Sequence, residues 1–297
     1  MMAELIALDM TFGSTSDRDK VMPGIEAFVK DYPDTVIHVH WASADNTPDK
    51  VAEIARDLTS LDPVPIISGA GMSNVLTGVM KTHATTDYPI IGVPIFDSVT
   101  RGLSSIFSTV EKPPRNVVMA TGLNNSYAAA NIAYKYLMHE YSNLAIICQP
   151  DTHPERQEAS DHLVEHCMNY HVKNYQLCLP ELVSPDDVVI FPFFVSSSHD
   201  YHKMLRLDRQ LSEGDGIQIG VMTRHPLSGT DFERTLQYFT ADLKSTVFVA
   251  SGEYINAILA AAQLMDNELA LGKFRQERQQ KAEKLAAEPP EIMQYER

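Results

Sequence analysis

Gly13-Ser14-Thr15-Ser16-Asp17 groups a glycine, three hydroxyls and a carboxylate between the apolar run Leu5-Ile6-Ala7-Leu8 and a helix-favouring segment. Residues of these types in that setting suit a phosphate or a ribose. Glycine lets the backbone approach an anion, a helix start offers free N–H groups, and hydroxyls add hydrogen bonds. The same residues also read as an ordinary capped helix, because Ser, Thr and Asp are common N-caps. Two more polar loops follow apolar runs, Ser43-Ala44-Asp45-Asn46-Thr47-Pro48-Asp49 and Gly69-Ala70-Gly71-Met72-Ser73-Asn74. A fourth loop begins after Gly92-Val93-Pro94.

Strands must position these loops. Short apolar runs recur at 5–10, 35–40, 64–68, 90–93 and 117–121, then at 144–148, 175–179, 188–191, 217–221 and 246–250. Helix-like segments lie between them, among them 20–30, 49–58, 73–81 and 125–138. That alternation predicts an α/β fold with parallel sheets covered on both faces. In such sheets ligands bind at the C-terminal edge of the strands, where the four loops would meet.

The two sets of runs read as a diverged repeat. Ile90-Ile91-Gly92-Val93 is echoed by Gln218-Ile219-Gly220-Val221. Ala120-Thr121-Gly122 and the small-residue helix after it are echoed by Ala250-Ser251-Gly252 and the segment from Asn256 to Ala262. Landmarks that recur in order favour duplication over a shared α/β rhythm. Residues 49–58 have no counterpart, because Pro185-Asp186-Asp187 runs almost directly into the next apolar run, so the second half is expected to lack one crossover helix. The expected architecture is two flavodoxin-like three-layer units, 1–141 and 142–265, and a charged helical tail over 266–297 that ends at Pro289-Pro290. The tail would lie over the body or over a neighbouring subunit.

Composition narrows the function classes. A net charge of −15 over 297 residues argues against general nucleic-acid or anionic-membrane binding, though not against a local cationic pocket. There is no apolar run of membrane-spanning length and no secretory pattern at the N-terminus. Cys148, Cys167 and Cys178, odd in number and without CxxC spacing, are read as free thiols of a cytoplasmic protein.

On the three loops together, the sequence resembles the aminoimidazole ribonucleotide (AIR) carboxylase family of purine biosynthesis, which includes the N5-carboxyaminoimidazole ribonucleotide mutases. That family carries Gly-Ser-x-Ser-Asp after its first strand, Ser-Ala-His-(Arg/Lys)-x-Pro-Asp after its second and a Gly-rich loop after its third. Gly71-Met72-Ser73-Asn74, Gly78-Val79-Met80 and Tyr88-Pro89 look closest to its CO2-using carboxylases. The resemblance spans about residues 4–140, with rhythm and the last strand–helix pair matching beyond. It implies that Gly13, Ser14, Ser16 and Asp17 contact phosphate and ribose, and that Ser43 lies beside the base. Ala44, Asn46, Gly71, Ser73 and Asn74 complete the expected substrate site. It also implies a ribonucleotide substrate, CO2, no metal or organic cofactor, and a homo-oligomer of two or four tandem units.

The departures are specific. Asp45 stands in the place of the family's catalytic histidine, Asn46 in that of the adjoining Arg or Lys, Met72 in that of the loop arginine, and Val75 in that of a mutase histidine. A histidine titrates near neutrality and both gives and takes a proton, whereas an ordinary aspartate, with a pKa of about 4, is a weak base and a poor acid at neutral pH. Two readings therefore stand: an enzyme that uses Asp45, or a histidine of the second half, as proton carrier; and a relative that binds a nucleotide without the chemistry, or acts on another one.

Other residues were weighed for chemistry. His153, His162, His166, His171, His199, His202 and His225 all lie in the second half. Asp151-Thr152-His153, Ser196-Ser197-Ser198-His199 and His225 fall near the repeat's loop positions, so they form a second pocket, complete the first one, or are scattered surface histidines. His162-Leu163-Val164-Glu165-His166 has the H-x-x-E-H spacing of some zinc peptidases, but no third ligand is placed near it. Ser104-Ser105 and Ser197-Ser198 lack the Gly-x-Ser-x-Gly setting of a hydrolase.

Overall fold

The computed structural model describes residues 5–60, 64–84, 88–148, 154–194, 197–223, 229–249 and 252–287. The first half contains β1 (Ile6–Phe12), α1 (Arg18–Asp31), β2 (Thr35–Trp41), α2 (Pro48–Ser60), β3 (Ile66–Gly71), α3 (Val75–His83), β4 (Ile90–Ile95), α4 (Leu103–Val110), β5 (Met119–Ala120) and α5 (Ser126–Met138). The second contains β6 (Leu144–Ile147), α6 (Pro154–Asn169), β7 (Tyr175–Cys178), β8 (Val188–Phe193), α7 (Ser198–Glu213), β9 (Ile217–Met222), α8 (Gly229–Phe239), β10 (Thr246–Val249) and α9 (Tyr254–Leu264), followed by α10 (Glu268–Ala287). Each of the ten apolar runs contains a strand. Between β7 and β8 the chain makes only a 3-10 turn, Pro180–Leu182, where a crossover helix was expected to be missing.

The strands form one sheet, in the order β2-β1-β3-β4-β5-β10-β9-β8-β6-β7. Every pairing within a half is parallel. Counted outward from the middle, the two halves have the same order, that of a flavodoxin-like unit. They meet where β5 and β10 pair antiparallel, in register at Ala120 and Phe248. The C-terminal edge of one half therefore points opposite to that of the other.

Helices cover both faces. One layer buries Val21, Ile25 and Phe28 of α1, the alanines of α5 and α9, Leu163 and Cys167 of α6, and Ala270, Leu271 and Phe274 of α10 against the sheet and one another. The opposite layer is α2 and α3 over the first half, then α4, α7 and α8 over the centre and second half. In α2 the buried residues Val51, Ala55 and Leu58 recur at helical spacing, which turns one stripe inward. The start of α10 packs on the body, while most of its charged remainder is exposed, as expected for the tail.

Polar side chains hold the central joint. On α5, Asn125 and Asn131 donate to the carbonyls of Leu243 (2.6 Å) and Lys244 (2.8 Å), just before β10. One turn beyond Asn131, the buried Lys135 donates to the carbonyls of Leu211 (2.8 Å), Gly214 (2.8 Å) and Gly216 (3.2 Å) and to the Ser245 hydroxyl (3.0 Å). Asn256 of α9 reaches back, accepting from the Arg115 N–H at 2.8 Å and donating to the Pro113 carbonyl at 3.2 Å. Asp208 of α7 fixes the start of β10 by accepting from the Lys244 and Ser245 N–H groups and the Thr246 hydroxyl.

Burial lowers the Lys135 pKa to about 8, against the opposing pull of Asp215, Asp208 and Asp186. Between about pH 8 and the ordinary lysine value of 10.5, the unfolded chain thus holds a proton that the folded chain has released. Lys135 therefore contributes stability that grows with pH through that window, by at most about 1.4 kcal/mol per pH unit. Buried Cys167, its thiol pushed up to about 12, opposes this from about pH 9, and the half-buried Tyr127 and Tyr136 and the buried Tyr141, whose pKa values are raised, add to the opposition from about pH 10, where unfolded tyrosines ionise. Denaturant titrations should show wild-type stability gaining on that of Lys135→Met between about pH 8 and 10.5.

Candidate functional site

The four loops that leave β1 to β4 surround one cavity of about 610 Å³ at the C-terminal edge of the first half. That volume suits a small-molecule ligand. Close backbone approach draws the loops together. The Gly13 N–H donates to the Gly69 carbonyl at 3.0 Å. A side chain at Gly69 would come within 2.5 Å of the Val93 carbonyl oxygen and 2.9 Å of the Val93 Cβ, so glycine is required there. Likewise Gly24 lets α1 rest on α5, since a Cβ there would lie 2.4 Å from the Ser126 hydroxyl.

The first loop enters a 3-10 turn, Thr15–Asp17, that runs into α1. Ser14 caps it by accepting from the Ser16 N–H at 3.1 Å, and the Ser14 and Ser16 hydroxyls lie 2.8 Å apart. Both hydroxyls are exposed to the cavity, so part of the motif is a helix cap and part remains open to a ligand. Asp17 is buried, 3.3 Å from the Lys20 ammonium. Lys20 also donates to the Phe96 carbonyl at 2.9 Å, which ties the first loop to the fourth.

The second loop is a compact turn. Thr47 accepts from the Ser43 N–H at 2.9 Å, and the Ser43 hydroxyl accepts from the Asn46 N–H at 3.2 Å and the Asn46 amide at 3.3 Å. The Ser43 hydroxyl is thus left with its own proton to donate to a ligand. Ala44 and Asp45 stand on the side of this turn that lines the cavity, and Asp45 is exposed.

From the third loop Gly71, Met72 and Ser73 line the cavity, with Met72 at a left-handed φ of 53°. Asn74 is buried instead. Its side chain accepts from the Thr77 N–H to cap α3 and donates to the Thr109 hydroxyl at 2.8 Å. Asn74 and Asn46 are therefore the two expected contact residues outside the cavity lining. Gly13, Ser14, Ser16, Asp17, Ser43, Ala44, Asp45, Gly71 and Ser73 are all brought together in it.

The lining also includes residues that sequence reasoning passed over: Lys20, Leu76 and the run Phe96-Asp97-Ser98-Val99. Lys20 follows Asp17 by three residues, a spacing that places the two on one face of a helix, and this was the available signal. The run from Phe96 belongs to the fourth loop, which the sequence already placed at this edge. Slight desolvation pulls the Asp97 pKa upward, but the Thr100 hydroxyl and N–H and the Val99 N–H donate to it and hold it below the ordinary carboxylate value.

The second-half histidines lie elsewhere. Because β5 and β10 are antiparallel, the loops of that half open at the opposite edge, and no described histidine lines the first cavity. His162 and His166 are on α6, where His162 stacks on Tyr254 with ring centroids 5.7 Å apart. His171 follows α6, and His199 and His202 are on α7. Residues 151–153, Ser196, 224–228 and 250–251, and with them His153 and His225, lie outside the described residues, as do Pro289 and Pro290.

Comparison with known proteins bears on the half that holds the cavity. The family model described as AIR carboxylase matches residues 8–153. An N5-carboxyaminoimidazole ribonucleotide mutase of Thermotoga maritima is 33% identical over 121 residues, covering 41% of this chain and 67% of that protein. A mutase of Pyrococcus abyssi is 35% identical over 120 residues, covering 40% of this chain and 65% of that protein. A phosphoribosylaminoimidazole carboxylase of Schizosaccharomyces pombe is 33% identical over 128 residues, which cover 42% of this chain and 22% of that longer protein. Relatives named for both reactions match at similar identity, so the comparison does not divide one class from the other. The chain belongs to the AIR carboxylase family of purine biosynthesis.

Proposed function

We propose that this chain binds an aminoimidazole ribonucleotide in the first-half cavity and exchanges a proton and a carboxylate on its ring, with Asp45 as the proton carrier. The observation that carries the reading is the convergence of Ser14, Ser16, Lys20, Ser43 and Asp45 on one cavity. Ser14, Ser16 and the Lys20 ammonium take the phosphate at the start of α1. A charge-assisted hydrogen bond from Lys20 gives this acidic chain a local cation for the purpose. Asp17 holds Lys20 in place and faces the ribose hydroxyls. Ser43 donates to the base.

In the carboxylating direction, the ring carbon forms a bond to CO2 and its proton passes to the Asp45 carboxylate. In reverse, protonated Asp45 returns the proton to that carbon as CO2 leaves. Neither direction needs a cofactor. Asp45 is exposed on a short turn, so the site is open to solvent exchange of that proton. A carboxylate handles this proton less well at neutral pH than an imidazole does, so turnover is slow.

A second reading has its own support: no imidazole lines the described cavity, which fits a relative that binds the nucleotide without turning it over. Decarboxylation of 4-carboxy-AIR by the purified protein separates the two. Release of CO2 that is lost in Asp45→Asn, with nucleotide affinity kept, supports catalysis by Asp45. Binding without any turnover leaves only the second reading. Lys20→Met is expected to weaken nucleotide binding tenfold or more, read by calorimetric titration, because a charge-assisted bond to the phosphate is lost. Asp45→His combined with Asn46→Arg is expected to raise the carboxylase rate at least tenfold, measured as carboxylated product formed from AIR and bicarbonate. A folded double mutant with no gain would count against AIR as the substrate.

A further inference from the structure

We propose that the cavity selects a ribonucleotide with an uncharged base and discriminates against the form of the same nucleotide that carries a carboxylate on that base. This deepens the reading above and rests on its placement of the phosphate.

The first ground is charge. The titratable side chains in the described lining are Asp17, Lys20, Asp45 and Asp97, three carboxylates and one ammonium. The ammonium is shared between Asp17 and the Phe96 carbonyl, and a phosphate claims what remains. A second anion on the ligand finds no cation in the lining. It meets Asp45 from the second loop and Asp97 from the fourth. Hydrogen bonds from Thr100 and Val99 hold Asp97 in its charged form.

The second ground is the apolar rim. Met72, Val75, Phe96 and Val99 all line the cavity and are 61%, 46%, 38% and 80% exposed. Exposed large apolar side chains gathered at one site mark a surface that something covers. They come from the loops after β3 and β4, away from the phosphate-binding turn in sequence and element. A flat neutral base suits them, since Phe96 offers an aromatic surface and Met72 a polarizable one. A carboxylate set among them gives up water and gains no cationic partner, a cost that an uncharged base escapes. Selectivity of this kind arises from what the site withholds from the disfavoured ligand.

Calorimetric titration at neutral pH and fixed ionic strength with three probes tests this: ribose 5-phosphate, AIR and 4-carboxy-AIR. AIR is expected to bind at least tenfold more tightly than 4-carboxy-AIR, and added salt is expected to narrow the gap by screening the carboxylates. Met72→Arg should tighten 4-carboxy-AIR about tenfold while AIR changes less than twofold. The left-handed backbone at Met72 strains arginine no more than methionine. Val99→Arg, at the most exposed rim position, makes the same test at a second place. Equal or tighter binding of 4-carboxy-AIR by the wild type overturns the inference. Ribose 5-phosphate keeps the two claims apart. If it binds and Lys20→Met abolishes that binding, the phosphate reading stands even where the discrimination fails. If neither it nor either nucleotide binds, both fall.

Discussion

The structure depends on a short joint between two parallel half-sheets. β5 is two residues long and meets β10 at a single registered pair. Backbone pairing of that extent is weak by itself. The half-buried amide of Asn125, the buried amides of Asn131 and Asn256 and the ammonium of Lys135 compensate by donating across the joint to carbonyls of the opposite half. Such groups stabilise when satisfied and cost heavily when not. The joint is therefore specific: sliding one half against the other would strand these donors and the carbonyls they serve. The core that runs across both halves on one face of the sheet adds area, which is far less particular about position.

The antiparallel joint also settles where chemistry can gather. Parallel strands send all their C-terminal loops to one edge, so each half has one such edge. Reversing one half points its edge away from the other. The turn at Gly13–Asp17, Asp45 and the rim from Met72 to Val99 thus belong to the first half, and the described second-half histidines do not line their cavity. The matched family range, residues 8–153, covers the same half. Residues 154–287 contribute to the joint, through Asp208 and Asn256, and to the layer over the shared core.

The hydroxyl-rich loops and the positions that depart from the family pattern line one and the same cavity. Ser14, Ser16, Asp17 and Ser43 line the cavity together, and Lys20 adds a cation beside them. Asp45, Met72 and Val75 replace basic residues of the family pattern, and all three line the cavity. The substitutions are thus concentrated in one place.

Much of this was legible in the sequence. Ten apolar runs, each bounded by turn residues, imply ten strands, because strand periodicity and glycine or cap residues are local signals. The three loops were legible for the same reason, and a shortened connection before β8 followed from the few residues available. Asn74 shows the limit: its type suits a ligand contact as well as a helix cap, and only packing against Thr109 turns it inward. Lys20 was legible only as a helix position beside Asp17, and Phe96 to Val99 only as part of a fourth loop; that the Lys20 ammonium reaches the Phe96 carbonyl joins positions 76 residues apart, which no local pattern encodes. The sequence by itself determined the strands, the helices and the chemical types in each loop, since these follow from local backbone and side-chain preference. Tertiary structure alone decided which side chains of those loops line the cavity and that the two halves open at opposite edges. Both depend on β5 and β10 meeting antiparallel and on side chains from distant segments satisfying each other in the dry space between.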